Sequence, residues 1–129
     1  MALSPQHEVE IIGPAKSGDI WYPMKNMGIS IRPYPWKRYP FFIVTIRKMI
    51  KEIDADMLIA CKLRPTSFGI ALIKKWASGI PLVVDIDDWE LGFLYHSGFW
   101  GKVGRFLNFS NPNGLPYTWL MERLTGFAD

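Results

Sequence analysis

Cysteine is almost absent from this sequence, and long apolar runs are missing. The single cysteine, Cys61, has no second thiol to pair with, which excludes the disulfide-stapled class of small secreted proteins. No stretch reaches the roughly 20 apolar residues that cross a bilayer, and the run 41–46 is broken by Arg47 and Lys48. Residues 1–7 lack the basic and apolar regions of a secretory signal. We therefore expect a cytoplasmic protein.

Several motifs that carry chemistry are absent as well. There is no Gly-x-Gly-x-x-Gly, no Walker lysine and no nucleophile elbow, so the common signatures for cradling nucleotide phosphates are missing. His7 and His96 have no partner ligands at the spacing typical of zinc sites, and we expect no metal site. Cys61 ends an apolar run, and we expect it to pack as a small apolar side chain.

The composition predicts a folded domain with an uneven charge distribution. Apolar residues make up 49% of the 129 residues and charged residues 21%, which excludes intrinsic disorder. Residues 1–76 carry twelve Lys or Arg and six Asp or Glu, a balance of +6, whereas residues 77–129 carry three and six, a balance of −3. The basic half contains several aromatic residues and could attract nucleic acid or an anionic membrane surface. Ordinary solvated charges on helices explain it equally well.

The first half of the chain predicts short strands, a loop region and one helix. Residues 7–12 alternate polar and apolar side chains and end at a Gly-Pro pair, which predicts a strand closed by chain breakers. Residues 15–40 are rich in glycine, proline and aromatic residues, which predicts an ordered loop with a short strand at 29–32. Residues 41–53 place apolar side chains at helical spacing, with basic ones opposite, and predict an amphipathic helix.

The second half predicts a β-α-β unit. Residues 55–61 and 81–86 are compact apolar runs, typical of strands buried on both faces. Between them, a helix can begin at Pro65 or Thr66 and is stopped by Gly79. Two strands joined by one helix pair in parallel, which indicates the α/β class. A short helix at 101–107, a loop at 110–114 and a helix at 117–124 follow.

The first candidate site follows the strand 55–61. Parallel sheets bind ligands beyond the carboxyl ends of their strands, because helix N-termini and unpaired backbone donors lie there. At this position the chain offers two cations and two hydroxyl groups, which suit an anion or the hydroxyls of a sugar. The alternative is that the hydroxyls cap the helix and the cations are solvated. The residues concerned are Lys62, Arg64, Thr66 and Ser67.

The second candidate site is the acidic segment that follows the strand 81–86. Carboxylates at such a place serve as a general base, accept hydrogen bonds from sugar hydroxyls or hold a divalent metal. By strand alternation Asp85 and Asp87 share one face and Asp88 lies on the other, so the three need not converge. The alternative is structural, with Asp88 capping a turn and Asp85 paired with a nearby cation. Trp89 completes the segment.

The order of these segments resembles the N-terminal domain of family 4 glycosyltransferases. The resemblance rests on the segments 7–14 (HEVEIIGP), 55–67 (ADMLIACKLRPTS) and 79–90 (GIPLVVDIDDWE), and it extends from about His7 to Asp129. It implies a Rossmann-like three-layer α/β domain with a parallel sheet, one half of the GT-B architecture. Asp87 stands where many members have a histidine, and Asp88 matches the usual acid.

The resemblance also implies a function and a set of partners. The intact enzyme would be a retaining, metal-independent glycosyltransferase that needs no cofactor and uses a nucleotide sugar as co-substrate. Asp87 and Asp88 would be its catalytic residues, and Lys62, Arg64, Thr66, Ser67, Asp85 and Trp89 would bind a glycan or lipid-linked acceptor. A further partner could be the anionic inner face of the cell membrane. No nucleic acid is expected as a partner.

The chain departs from the family pattern in two respects. The first strand with its glycine-rich loop and the C-terminal donor-binding domain are not found in the 129 residues. Residues 1–129 are therefore expected to form a single incomplete domain, whose donor side would come from a missing domain or a neighbouring chain. We expect the isolated chain to transfer no sugar.

Two other functions stay open at this point. An apolar strand ending in Asp85-x-Asp87 is typical of haloacid dehalogenase-like phosphotransferases, although Trp89 stands where that class has Thr or Val. A non-catalytic module could instead dock on a membrane or a partner through the basic, aromatic half of the chain.

Overall fold

A computed structural model describes residues 6–16, 28–87, 92 and 99–129. Within these ranges the chain is a mixture of helices and short parallel strands, compatible with an α/β fold. No helix in the described ranges is long and apolar enough to cross a membrane. In chain order the elements are β1 (Glu10–Ala15), β2 (Ser30–Pro35), α1 (Phe42–Glu52), β3 (Leu58–Cys61), a π-helical turn (Pro65–Gly69), α2 (Ile70–Ser78), β4 (Leu82–Asp85), α3 (Phe99–Phe106), α4 (Leu115–Arg123) and a 3₁₀ turn (Thr125–Phe127).

The strands form two separate parallel pairs. β1 pairs with β2 from Glu10 opposite Ser30 to Ala15 opposite Pro35. β3 pairs with β4, and Cys61 lies opposite Asp85. The helix between β3 and β4 runs from Pro65 through α2 and ends at Gly79, whose φ of 72° provides the left-handed C-cap. The predicted β-α-β unit and its parallel pairing are confirmed.

The prediction that the first strand ends at Gly13 and Pro14 was wrong. β1 continues through both residues to Ala15, whose carbonyl oxygen accepts the Trp36 N–H at 3.2 Å. In a strand, consecutive residues point their backbone groups to opposite edges, so the ring nitrogen of Pro14 faces away from β2. Because no ladder hydrogen bond is lost there, the proline is tolerated.

The second predicted strand is confirmed and is longer than expected. The same alternation explains why the strand continues to Pro35, because the ring nitrogens of Pro33 and Pro35 also point away from β1. Arg32 on this strand lies 2.7 Å from Glu10 Oε1, and Tyr34 donates a hydrogen bond to Glu52 in α1. Burial, followed by this hydrogen bond, raises the pKa of Tyr34 above its ordinary value. These contacts tie β2 to both β1 and α1.

The core lies between the helices and one face of each sheet. Phe42, Met49, Phe68, Leu72 and Leu82 are its largest fully buried apolar side chains. Leu58 and Ala60 of β3 face this core.

The prediction that β3 and β4 are buried on both faces was wrong. Ile59 is 46% exposed and Val83 43% exposed, and Cys61 is exposed, contrary to its expected packing. A continuous apolar run does not show whether one or two layers cover the sheet, and here the described helices cover one face.

The last residue lies at the beginning of β4. Asp129 accepts the Leu82 N–H at 2.8 Å through Oδ2 and the Lys75 ammonium at 2.7 Å through Oδ1, and its own N–H donates to the Leu82 carbonyl oxygen at 2.9 Å. The hydrogen bond from Lys75, followed by the one from Leu82, lowers the pKa of Asp129 below its ordinary value.

Candidate functional site

Both sequence-predicted sites begin at the carboxyl ends of β3 and β4, which lie side by side. The Lys62 N–H donates to the Asp85 carbonyl oxygen at 3.0 Å and extends the ladder by one residue. Lys62 then adopts a left-handed conformation, with φ of 74°. The Arg64 N–H donates to the Lys62 carbonyl oxygen at 2.9 Å. This tight turn starts the segment that leads into the π-helical turn.

An ion pair joins the two predicted sites. Lys62 Nζ lies 3.6 Å from Asp87 Oδ1, and the two side chains are 37% and 60% exposed. A pair this exposed contributes about 0–1 kcal/mol to stability, so a polar ligand can compete with it at little cost. Asp85, the last residue of β4, is also exposed. The strand ends therefore present two carboxylates to solvent, one of them paired with the Lys62 ammonium.

Thr66 lies in a different environment from Lys62. Its side chain is buried, and its hydroxyl donates to Asn113 Oδ1 at 2.7 Å, in the loop before α4. Arg64 takes the N-cap position without a side-chain cap, and its carbonyl oxygen accepts the Ser67 N–H at 3.0 Å. Thr66 therefore joins the π-helical turn to the loop before α4. Of the other described members of the predicted set, Asp85 and Asp87 are exposed, and Lys62, Arg64 and Ser67 are half-buried.

Two predicted site residues, Asp88 and Trp89, lie outside the described residues. Within the described part of the chain, no group of three or more His, Cys, Asp or Glu side chains gathers to hold a metal ion. The candidate site at this edge therefore consists of Lys62, Asp85 and Asp87, with Arg64 on the adjoining turn.

A second polar site, not predicted from the sequence, lies at the carboxyl ends of β1 and β2. It is a cleft of about 370 Å³. We call it the β1–β2 cleft; its described lining residues are Pro14, Lys16, Trp36, Arg38, Asn108 and Asn111. Lys16 follows the last residue of β1, and Trp36 follows the last residue of β2. The rule that pointed to the ends of β3 and β4 would have found it, had the first two strands been predicted to continue to Ala15 and Pro35 and to pair in parallel.

Comparison of the chain with protein-family models, with curated proteins and with solved structures gave no match.

Proposed function

We infer that this chain is the acceptor side of a glycosyltransferase of the GT-B type, with a Rossmann-like arrangement of its α/β elements. The observation that carries the proposal is the meeting of Lys62, Asp85 and Asp87 at the adjacent carboxyl ends of two parallel strands. The same residues lie in the segments that resemble family 4 glycosyltransferases. Parallel α/β domains bind their ligands at this edge.

The chemistry of this edge suits a sugar acceptor. Ionised carboxylates accept hydrogen bonds from hydroxyl groups, and such charge-assisted bonds are about twice as strong as neutral ones. Asp85 and Asp87 would orient two acceptor hydroxyls, and Lys62 would balance their charge or contact a phosphate on the acceptor. Positioning and electrostatics of this kind supply most of the catalysis in group transfer without covalent intermediates.

The remaining roles follow from the resemblance. Asp87 and Asp88 would line the reactive part of the cleft, and Arg64, Thr66, Ser67 and Trp89 would form its wall. Because the Thr66 hydroxyl already donates to Asn113, its contribution to binding would be to hold the wall in place. The nucleotide-sugar donor would bind to a second domain or chain, so this chain alone would transfer no sugar.

Titration of the ¹⁵N-labelled chain with soluble acceptors tests the proposal. The probes are glucose, N-acetylglucosamine, maltose and a short-chain prenyl diphosphate carrying N-acetylglucosamine. At least one should shift the amide signals of Lys62, Asp85 and Asp87, and Asp87→Asn should weaken its binding about tenfold, the effect of losing one charge-assisted hydrogen bond.

The matched control is Asp56→Asn, which removes the same charge in the exposed turn before β3. It should leave acceptor binding unchanged. If no sugar perturbs these three residues, the acceptor-side proposal is wrong. Transfer from a nucleotide sugar by the purified chain would contradict the expected inactivity, and covalent labelling of Asp85 by beryllofluoride would favour the phosphotransferase alternative.

A second candidate function, docking on an anionic membrane, is favoured by the outer face of α1. Phe41, the N-cap residue of α1, is 69% exposed, and Val44 within the helix is 68% exposed. The exposed cations Arg47 and Lys51 follow on the helix. Apolar side chains beside lysine and arginine are typical of helices that lie on anionic lipid.

Co-sedimentation with anionic vesicles at low and high salt tests docking through α1 separately from the acceptor site. Docking predicts salt-sensitive binding that is lost in Val44→Glu and kept in Asp87→Asn. Binding that does not depend on Val44 would rule out docking through α1. The two functions are compatible, since a glycosyltransferase that uses lipid-linked acceptors works at the membrane surface.

A further inference from the structure

The backbone around the β1–β2 cleft is fixed by hydrogen bonds on three sides. The Trp36 N–H donates to the Ala15 carbonyl oxygen at 3.2 Å, which holds the last residue of β1 to the first residue after β2. The Arg38 carbonyl oxygen accepts the Phe42 N–H at 3.1 Å at the beginning of α1. The Tyr39 N–H donates to the Ser110 carbonyl oxygen at 2.9 Å, and this bond brings the loop before α4 to the cleft. The lining residues therefore come from three segments that are bonded to one another.

The two asparagines of this loop use their carboxamide oxygens within the loop. Asn108 Oδ1 accepts the Ser110 hydroxyl at 3.1 Å, and Asn111 Oδ1 accepts the Asn113 N–H at 3.1 Å. Each side chain keeps its NH₂ group, which carries two donors. The asparagines therefore offer hydrogen-bond donors to a ligand in the cleft.

The charged side chains of the cleft are both cations. Neither Lys16 nor Arg38 forms an ion pair with an acidic residue of the described ranges, and none of the described lining residues is a carboxylate. Trp36 is half-buried and Pro14 lies beside it, so the cleft also has an apolar wall. Two cations, amide donors and an indole are side chains that suit an anion attached to a ring.

We propose that the β1–β2 cleft binds a small phosphate ester, with the phosphate between Lys16 and Arg38 and a sugar ring against Trp36. The guanidinium of Arg38 matches two phosphate oxygens at once, and the Lys16 ammonium adds a second charge. The amides of Asn108 and Asn111 would donate to the remaining phosphate oxygens or to sugar hydroxyls. The volume of about 370 Å³ is at the small end of the range for ligand sites, which is suitable for a sugar phosphate.

This site is separate from the one that Lys62, Asp85 and Asp87 form at the ends of β3 and β4. The proposed ligand does not depend on whether the chain belongs to a glycosyltransferase. The phosphate ester has two sources, a soluble sugar phosphate or the inositol phosphate headgroup of a lipid. Glucose 1-phosphate represents the first source, and vesicles of phosphatidylcholine with phosphatidylinositol represent the second.

Isothermal titration of the full chain with glucose 1-phosphate, glucose and inorganic phosphate tests the site, together with vesicle co-sedimentation. Glucose 1-phosphate or the inositol lipid should bind, and Arg38→Gln should weaken that binding about tenfold. Lys37→Gln is the matched control, because it removes the same charge one residue away, outside the lining. Trp36→Ala should weaken the binding of glucose 1-phosphate more than the binding of inorganic phosphate. Any binding of glucose should be the same in Arg38→Gln as in the parent chain, because glucose carries no phosphate for Arg38 to contact.

Three outcomes would overturn the proposal. The first is that neither the soluble ester nor the inositol vesicles bind. The second is an equal loss of affinity in Lys37→Gln and Arg38→Gln, which would indicate general attraction to a basic surface. The third is unchanged binding in Trp36→Ala. Binding to vesicles alone, with dependence on Arg38, would identify the lipid headgroup as the source.

Discussion

At the residue scale, position in the backbone decides what each polar side chain can do. Lys62 and Thr66 are four residues apart in the same predicted site, yet Lys62 is half-buried and paired with Asp87, whereas Thr66 is buried against Asn113. The left-handed turn at Lys62 brings its side chain to the strand ends. The π-helical turn takes Thr66 into the interface with α4. Residue type alone suggested one shared role for both.

The contacts of Asp129 predict a loss of folding stability at acid pH. Its pKa is lowered in the folded chain by Lys75 and by the Leu82 N–H. A lowered pKa contributes stability above the ordinary value of 3.8, and this contribution is lost as the pH falls through the lowered value. Asp129→Asn should therefore show a smaller loss of Tm than the parent chain between about pH 5 and about pH 2.

Thermal unfolding followed by circular dichroism across this pH range measures the effect. Lys75→Gln should reduce the acid dependence in the same way, because it removes the first cause of the shift. Asp56→Asn, in an exposed turn, serves as the charge-matched control. A parent-like acid profile in Asp129→Asn would show that these contacts do not couple to folding.

At the element scale, the loop between α3 and α4 is shaped by a close approach at Gly114. A Cβ atom there would lie 2.7 Å from the Asn108 carbonyl oxygen and 3.0 Å from that of Asn111. Both contacts are with backbone, which cannot move aside as a flexible side chain does. Glycine at this position therefore lets the loop close onto the N-terminus of α4.

Gly114→Ala should destabilise the chain by about 1–3 kcal/mol, because the loop must shift to admit the methyl group. Gly104→Ala is the matched control, since Gly104 lies within α3 and a Cβ there meets nothing within 4 Å. It should stabilise the chain by about 0.5–1 kcal/mol through helix propensity. Urea unfolding measures both effects, and equal free energies of unfolding for the two variants would contradict the close approach.

At the scale of the whole molecule, one apolar core serves both parallel strand pairs. Tyr34 from β2, Leu58 from β3 and Leu82 from β4 belong to the same cluster of buried side chains. α1 contributes Phe42 and Met49 to it, and α4 contributes Met121. The elements that contribute to this cluster therefore share their apolar burial, and we expect them to unfold in one transition.

Phe42→Ala should destabilise the chain by about 3–5 kcal/mol, because the side chain is fully buried. Phe41→Ala changes the same residue type at the neighbouring position, which is 69% exposed, and should cost less than about 0.5 kcal/mol. Urea unfolding of both variants should be followed by circular dichroism and by tryptophan fluorescence. Two separate transitions, or similar losses in the two variants, would argue against a shared core.

The local elements could be predicted from the sequence. Helices α1 and α2, strands β3 and β4 and their parallel pairing follow from apolar periodicity, a helix-starting proline and a helix-ending glycine, all within short windows. The length of β1, the exposed face of β3, the Thr66–Asn113 bond and the β1–β2 cleft were decided by tertiary structure. These features depend on which segments meet across the chain, and Thr66 and Asn113 are 47 positions apart. Local patterns carry no information about such distant partners.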